Sequence, residues 1–183
     1  MLKLAIFVVV SAVFAYISRA SLPVPRSHGF YRFFAWESIL ALFLLNVENW
    51  FRDPFSIPQI VSWLLLIVSA FLVIHGVYLL RRIGKPDDKR EEAPLLGFEK
   101  TTTLVVEGAY RYIRHPLYSS LLFLGWGIFF KDVSSWAGLA LAAAATFFLA
   151  MTARAEEGEN IRFFGAAYQG YMGRTRMFIP FLF

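Results

Sequence analysis

Three long runs of apolar residues constrain this chain most strongly. They cover residues 2–17, 60–80 and 133–151, and the whole chain is 58% hydrophobic with only 17% charged residues. A soluble domain of this size does not need so much apolar surface, whereas a helix that crosses a bilayer needs about 20 apolar residues. The runs therefore indicate an all-α integral membrane protein.

Two further apolar segments complete a predicted set of about five transmembrane helices in one domain, 1–183. The second helix is expected over residues 33–50 and the fourth over 116–130, so that 1–80 holds three helices. Lys131-Asp132 then forms a short turn before the fifth helix. Small residues predict that the fourth and fifth helices pack closely as a hairpin. These are Gly125, Gly127, Gly138, Ala142 and Ala145.

The basic residues predict which helix ends face the cytosol. With five crossings and the N-terminus outside, all 18 lysines and arginines fall inside except Lys3, Arg52 and Lys131. Because this asymmetry follows the positive-inside rule, the net charge of +5 needs no nucleic acid partner. The chain has no cysteine, which excludes thiolate nucleophiles and cysteine-bound zinc, and with three histidines a metal site is not expected.

Residues 108–118 concentrate polar side chains at the predicted start of the fourth helix. They include Arg114, His115 and three tyrosines. Pro116 favours the first position of a helix, where its missing N–H costs nothing. Free N–H groups and the positive end of the helix dipole would then lie beside Arg114 and His115, which suits a carboxylate or a phosphate. The alternative is that these residues only flank a membrane helix, with tyrosines at the interface.

A second polar cluster, Arg154, Glu156 and Glu157, follows the fifth apolar run. If the fourth and fifth helices form a hairpin, this cluster and His115 are neighbours in space. Adjacent helical residues point about 100° apart, so one glutamate should face the site while the other meets water or an arginine. Basic donors combined with a glutamate suit a zwitterionic ligand. Ordinary ion pairing between helix ends is the alternative.

Five sequence blocks resemble the isoprenylcysteine carboxyl methyltransferases, a group that includes phospholipid N-methyltransferases. The blocks are Leu104-Val105 with Gly108-x-Tyr110, Arg114-His115-Pro116-x-Tyr118, Glu156-Glu157, Phe164-Gly165-x-x-Tyr168-x-x-Tyr171 and Phe178-Ile179-Pro180. The resemblance covers about residues 101–183 and indicates an integral-membrane member of prokaryotic type. It implies that 101–183 is the cofactor-binding catalytic half, and that S-adenosylmethionine binds in a pocket at the cytosolic boundary of the membrane.

The resemblance also implies roles for individual residues. Residues 102–105 and Tyr110 are expected to contact the cofactor, and residues 115–118 with Glu156 to hold its methionine part. The expected cofactor-binding residues are therefore Thr102, Thr103, Leu104, Val105, Tyr110, His115, Pro116, Leu117, Tyr118 and Glu156. An arginine is expected to orient the substrate, and Arg154 is the arginine nearest to that family position. The predicted catalytic residues are Arg154, Arg114 and Glu157.

The reaction that the resemblance implies is methylation of the α-carboxylate of a prenylated cysteine, in a protein or in a lipid-tailed small molecule. Such a carboxyl has a pKa of about 3.5 and is already ionised in the cytosol, so no general base is needed. A water-excluding site at the membrane edge favours the transfer, and the prenyl chain can stay in the bilayer. The alternatives are methylation of a phospholipid amine, a sterol-type membrane reductase and a non-enzymatic scaffold.

Overall fold

The computed structural model describes residues 1–85 and 101–181, and this part of the chain is helical. The helices are α1 (Leu2–Ile17), α2 (His28–Asn46), α3 (Ile57–Arg82), α4 (Pro116–Phe129), α5 (Trp136–Phe164) and α6 (Ala166–Met172). Short 3-10 turns lie at Val47–Asn49 and Gly108–Arg111. Within the described ranges no strand forms, although an isolated parallel bridge joins Ile113 to Arg176. The prediction of an all-α protein is confirmed for these residues.

Three of the helices are long and apolar enough to cross a membrane. They are His28–Asn49, which combines α2 with its 3-10 turn, together with α3 and α5. The apolar helices α1 and α4 have 16 and 14 residues, which corresponds to lengths of about 24 and 21 Å. The hydrocarbon core of a bilayer is about 30 Å thick, so both are short for a full crossing. The five predicted apolar segments are all helical, but only three have the length of a span.

α2 begins earlier than the apolar pattern predicts. Ser27 precedes it with extended backbone, and its Oγ accepts a hydrogen bond from the Phe30 N–H at 3.1 Å. This contact satisfies one of the unpaired amides at the start of a helix. The added turn places His28 and Arg32 on the helix, and both side chains are buried.

The helices pair differently from the predicted hairpin. α2 packs most extensively against α5, and α3 against α4, while α4 and α5 share a smaller contact. Gly127 faces α3, where an added Cβ would lie 3.0 Å from Leu66 Cδ2, and Gly125 faces Ile39 of α2. The predicted role of Gly125 and Gly127 is therefore wrong, because these glycines are turned towards α2 and α3. α4 and α5 nevertheless pack together, and Ala142 and Ala145 of α5 share a hydrophobic cluster with Ile128 of α4.

Buried polar side chains set the position of α4 between its neighbours. Ser62 Oγ of α3 donates to the Gly127 carbonyl at 2.6 Å, and Asn46 Nδ2 of α2 donates to the Ile128 carbonyl at 2.9 Å. A buried polar group is costly unless it is hydrogen-bonded. Sliding α4 along α2 or α3 would break these bonds, so they fix the height of α4 in the bundle from its C-terminal end.

The chain reverses after α5, and its C-terminal segment returns to the start of α4. Gly165 ends α5 with a φ of +59°, a backbone conformation that favours glycine. Beyond α6, the Arg176 N–H donates to the Tyr112 carbonyl at 3.0 Å, and the Arg114 N–H donates to the Arg176 carbonyl at 2.7 Å. The segment that precedes α4 is thus held by the end of the chain.

Candidate functional site

His115 lies where the loop before α4 joins the helix. It is the N-cap residue of α4, and Pro116 occupies the start of the helix as predicted. The His115 backbone N–H donates to the Met177 carbonyl at 3.2 Å, and the Tyr171 hydroxyl donates to the Tyr110 carbonyl at 2.6 Å. α6 and the C-terminal segment therefore fix this loop, and His115 is only 4% exposed.

The His115 ring contacts two carboxylates of α5. Its Nδ1 lies 3.7 Å from Glu156 Oε2, and its Nε2 lies 3.3 Å from Glu157 Oε1. The two polar clusters found in the sequence thus meet in space. The glutamates divide as expected for adjacent residues on a helix, because Glu156 lines a pocket while Glu157 meets Arg114.

The electrostatics of the site favour a charged His115. Burial disfavours the imidazolium, but hydrogen bonds and charge interactions with Glu156 and Glu157 outweigh burial and raise the pKa of His115 above its ordinary value of 6.5. The ring also stacks on Tyr118, with 5.5 Å between centroids. Burial, reinforced by the Glu156 charge, raises the pKa of the Tyr168 hydroxyl, which therefore stays neutral and able to donate.

Arg114 and Glu157 connect the parts of the framework around the site. Arg114 Nε donates to Glu157 Oε1 at 2.6 Å, and its Nη1 donates to the Thr175 and Met172 carbonyls at 2.5 and 3.3 Å. Breaking a buried ion pair is costly, because it leaves an uncompensated charge in the interior. These contacts tie the loop before α4 to α5 and to the C-terminal segment, and they lend no support to the predicted catalytic roles of the two residues.

A pocket opens beside the contact between His115 and Glu156. The predicted residues that line it are Leu104, Val105, Tyr110, Arg114, His115, Leu117, Tyr118 and Glu156. Most of this lining is aliphatic or aromatic, and the charges are concentrated where His115 meets Glu156. A ligand with an aromatic ring system and a zwitterionic tail fits such a combination of surfaces.

Glu157 and four other predicted residues do not line the pocket. The backbone N–H groups of Thr102 and Thr103 donate to the Gly84 carbonyl at 3.0 and 3.1 Å, which anchors their segment to the end of α3. Pro116 is fully buried at the start of α4. Arg154 is exposed on α5 and lies outside the lining. Residues two apart on a helix point about 200° apart, so Arg154 cannot share the direction of Glu156.

Five residues that line the pocket were not assigned to it from the sequence. They are Leu80, Thr101, Asn160, Phe164 and Tyr168. Asn160 and Phe164 follow Glu156 at steps of four residues and therefore share its face of α5, a spacing that the sequence displays. Leu80 and Tyr168 come from α3 and α6, and no local pattern indicates that these helix ends converge.

Comparison with known proteins finds a similar methyltransferase. The chain is 25% identical over 175 residues to a methanethiol S-methyltransferase from Crocosphaera subtropica. The match covers 88% of this chain and 64% of the relative, so the chain spans less than two thirds of the relative's length. No protein-family profile and no solved structure matches the chain. The similarity, together with the three apolar helices, supports a membrane methyltransferase as the class of protein.

Proposed function

We propose that this protein is a membrane methyltransferase that binds S-adenosylmethionine in the pocket beside His115 and Glu156. The observation that carries the proposal is the contact between these two side chains, Nδ1 to Oε2 at 3.7 Å, in a pocket whose other lining residues are mostly aliphatic or aromatic. The similar methyltransferase supports the same class of reaction. The cofactor supplies a methyl group on a positively charged sulfur.

The donor set of the pocket fits each part of this cofactor. The Glu156 carboxylate suits the ammonium group, and a protonated His115 with the first turn of α4 suits the carboxylate. Tyr110 and Phe164 offer aromatic faces to the ring system and to the sulfonium cation. Tyr110 and Val105 are 7% and 3% exposed, so they help to exclude water from the site.

For the acceptor, we propose a thiol that reaches the site from the membrane. The similar protein is named for methylation of a thiol. A thiol, unlike a carboxylate, needs no cation to bind it. This matters because Arg114, the one arginine among the described pocket residues, already donates to Glu157 and to backbone carbonyls. A small fraction of thiol is ionised at neutral pH and is strongly nucleophilic.

A prenylated cysteine carboxylate is the competing acceptor, favoured by the sequence blocks that resemble the carboxyl methyltransferases. That reaction was expected to use an arginine to orient the carboxylate. Arg154 is exposed outside the pocket, so this orienting role would need a different group. The two acceptors differ in chemistry, because a carboxylate is ionised throughout the neutral range whereas even cysteine has a pKa of about 8.5.

The binding half of the proposal is tested by calorimetric titration of the purified protein with S-adenosylhomocysteine. The wild type should bind it, and Glu156→Gln should bind it more weakly. Glu48→Gln is the matched control, because Glu48 is exposed and pairs with Lys3 far from the pocket. A folded wild type that does not bind S-adenosylhomocysteine would overturn the proposal.

The acceptor is identified by following transfer from methyl-labelled S-adenosylmethionine at saturating concentration. Methanethiol and N-acetyl-S-farnesylcysteine are offered in parallel over a range of pH. We expect label in the thioether product, at a rate that rises with pH as more thiolate forms. Label in the farnesylcysteine ester alone, at a rate that does not follow thiol ionisation, would establish the carboxylate as acceptor instead.

A further inference from the structure

A second buried contact between a histidine and a glutamate lies where α2 meets α5. His28 is the first residue of α2 and has no exposed surface, and its Nδ1 lies 2.6 Å from Glu159 Oε2. Glu159 is itself only 7% exposed. Neither residue lines the pocket that holds Glu156. The pair therefore joins the N-terminal half of the chain to the helix that supplies the acidic wall of the pocket.

The position of this pair at the start of a helix makes the Glu159 carboxylate necessary to it. Removing charged groups from water is costly unless they are paired. The positive end of the α2 dipole lies at His28, where it favours the carboxylate and opposes an imidazolium, so a charged His28 depends on Glu159. α2 and α5 also form the most extensive helix contact among the described elements, so surrounding packing restrains the pair.

Glu156 is close to this pair along α5 and in space. It precedes Glu159 by three residues, a spacing that places both side chains on neighbouring positions of the helix surface. When His28 is protonated, its charge acts on the Glu156 carboxylate. The carboxylate that faces the pocket is thus influenced by two imidazoles, His115 from the start of α4 and His28 from the start of α2.

We propose that His28, held by Glu159, is a positioning residue that keeps the Glu156 carboxylate oriented into the pocket to receive the cofactor's ammonium group. The inference rests on the proposed function, which assigns Glu156 to that ammonium. A fixed cation beside a buried carboxylate compensates for lost hydration and restricts the orientations that the carboxylate adopts. The site then includes α2 and is not confined to residues 101–183.

The test compares two ligands on His28→Gln. S-adenosylhomocysteine carries the amino acid part of the cofactor, whereas 5′-methylthioadenosine keeps the nucleoside and lacks that part. We expect His28→Gln to weaken S-adenosylhomocysteine binding about tenfold, within the range of couplings between neighbouring buried groups, and to leave methylthioadenosine binding unchanged. A general loosening of the fold would weaken both ligands alike.

The outcomes separate the inference from the proposed function. A wild type that does not bind S-adenosylhomocysteine overturns both. Two results would overturn only the role of His28 when the wild type does bind S-adenosylhomocysteine. The first is that folded His28→Gln binds S-adenosylhomocysteine as tightly as the wild type. The second is that His28→Gln loses the same affinity for S-adenosylhomocysteine and for methylthioadenosine. The melting temperature of each variant is measured alongside, with Glu48→Gln as the control for loss of a glutamate outside the site.

A second variant keeps the test decisive if His28→Gln does not fold. Glu159→Gln keeps the shape of the side chain and removes only its charge, so His28 loses its anchor. We expect a loss of S-adenosylhomocysteine affinity in the same direction, again without an effect on methylthioadenosine. Where both single variants fold, the variant that combines His28→Gln with Glu159→Gln should bind S-adenosylhomocysteine no more weakly than His28→Gln alone. A fully additive loss would show that Glu159 does not act through His28.

Discussion

Arg114 Nε donates to Glu157 Oε1 at 2.6 Å, with 11% and 10% of the two side chains exposed. This pair joins the loop before α4 to α5, and Nη1 of the same guanidinium reaches the carbonyls of the C-terminal segment. Glu156, its sequence neighbour, instead lines the pocket. Two adjacent glutamates therefore have different tasks, one in the framework and one in the site.

Arg114→Met should lower the free energy of unfolding by about 3 kcal/mol, because it leaves the Glu157 carboxylate buried without its partner. Reversible denaturation in detergent, followed by circular dichroism, measures the change. Arg154→Met is the matched control and should stay within about 0.5 kcal/mol of the wild type, since Arg154 is exposed. Adding Glu157→Gln to Arg114→Met should recover part of the loss. Equal stability of the two single arginine variants would contradict a structural role for Arg114.

Glu156→Gln and Glu157→Gln should separate binding from stability. Loss of a charge-assisted contact to the cofactor should weaken S-adenosylhomocysteine binding about 10- to 100-fold in Glu156→Gln. Its melting temperature should fall less than that of Glu157→Gln, because Glu157 pairs with Arg114 as well as with His115. Glu157→Gln should show the reverse, a lower melting temperature with a smaller effect on affinity. Titration calorimetry and thermal melts on the same samples measure both quantities. Identical behaviour of the two variants would show that the carboxylates are not divided between these tasks.

The stability that His115 contributes should decline with rising pH. Because its pKa is raised in the folded state above the ordinary 6.5, protonation stabilises the fold fully below that ordinary value. This contribution to the unfolding free energy is lost as the pH rises through the raised pKa. Each tenfold gain in the proton affinity of His115 on folding corresponds to about 1.4 kcal/mol of unfolding free energy. The difference in unfolding free energy between wild type and His115→Gln should therefore shrink as the pH rises above the ordinary pKa of 6.5 and through the raised pKa. A difference that stays constant, or grows, would mean that His115 is not held in its charged form.

Gly127→Ala and Gly125→Ala should differ although both lie on α4. A Cβ at Gly127 would lie 3.0 Å from Leu66 Cδ2 and 3.3 Å from the Ser62 carbonyl oxygen, whereas at Gly125 the nearest atom is Ile39 Cγ1 at 3.7 Å. Both changes gain about 1 kcal/mol of helix propensity. Crowding against α3 should cost Gly127→Ala about 1–3 kcal/mol, so we expect it to be the less stable variant by denaturant titration. Equal stability would indicate that α3 and α4 are packed less closely than described.

The positions of the helices could largely be predicted from local sequence patterns. The apolar runs indicated the helices, and Pro116 marked the start of α4 because its ring suits the first helical position. Which helices pack against one another could not be predicted from such patterns. Gly125 and Gly127 show that α4 has small positions, but a small residue does not specify which neighbouring helix occupies the space it leaves.

The site could be predicted where chemistry follows from neighbours along the chain. The two clusters that meet in the structure, residues 108–118 and the two glutamates, could be recognised in the sequence because their charged side chains directly precede or follow an apolar run. Arg154 was assigned to the substrate because it is the arginine nearest to the position that the family resemblance indicates, yet helical geometry turns it to the surface. His28 was not assigned to the site, because nothing near it in sequence indicates that α2 meets the acidic end of α5.

Local sequence patterns are sufficient to identify apolar helices, a basic cluster at the start of α4 and an acidic cluster after the apolar part of α5. Periodicity, proline and charge act over a few residues, so they can be recognised without knowledge of the fold. The contacts of His115 with Glu156 and of His28 with Glu159 follow only from the packed structure. Those contacts depend on how α2, α4 and α5 are placed against one another, which is set by the close packing of the whole bundle.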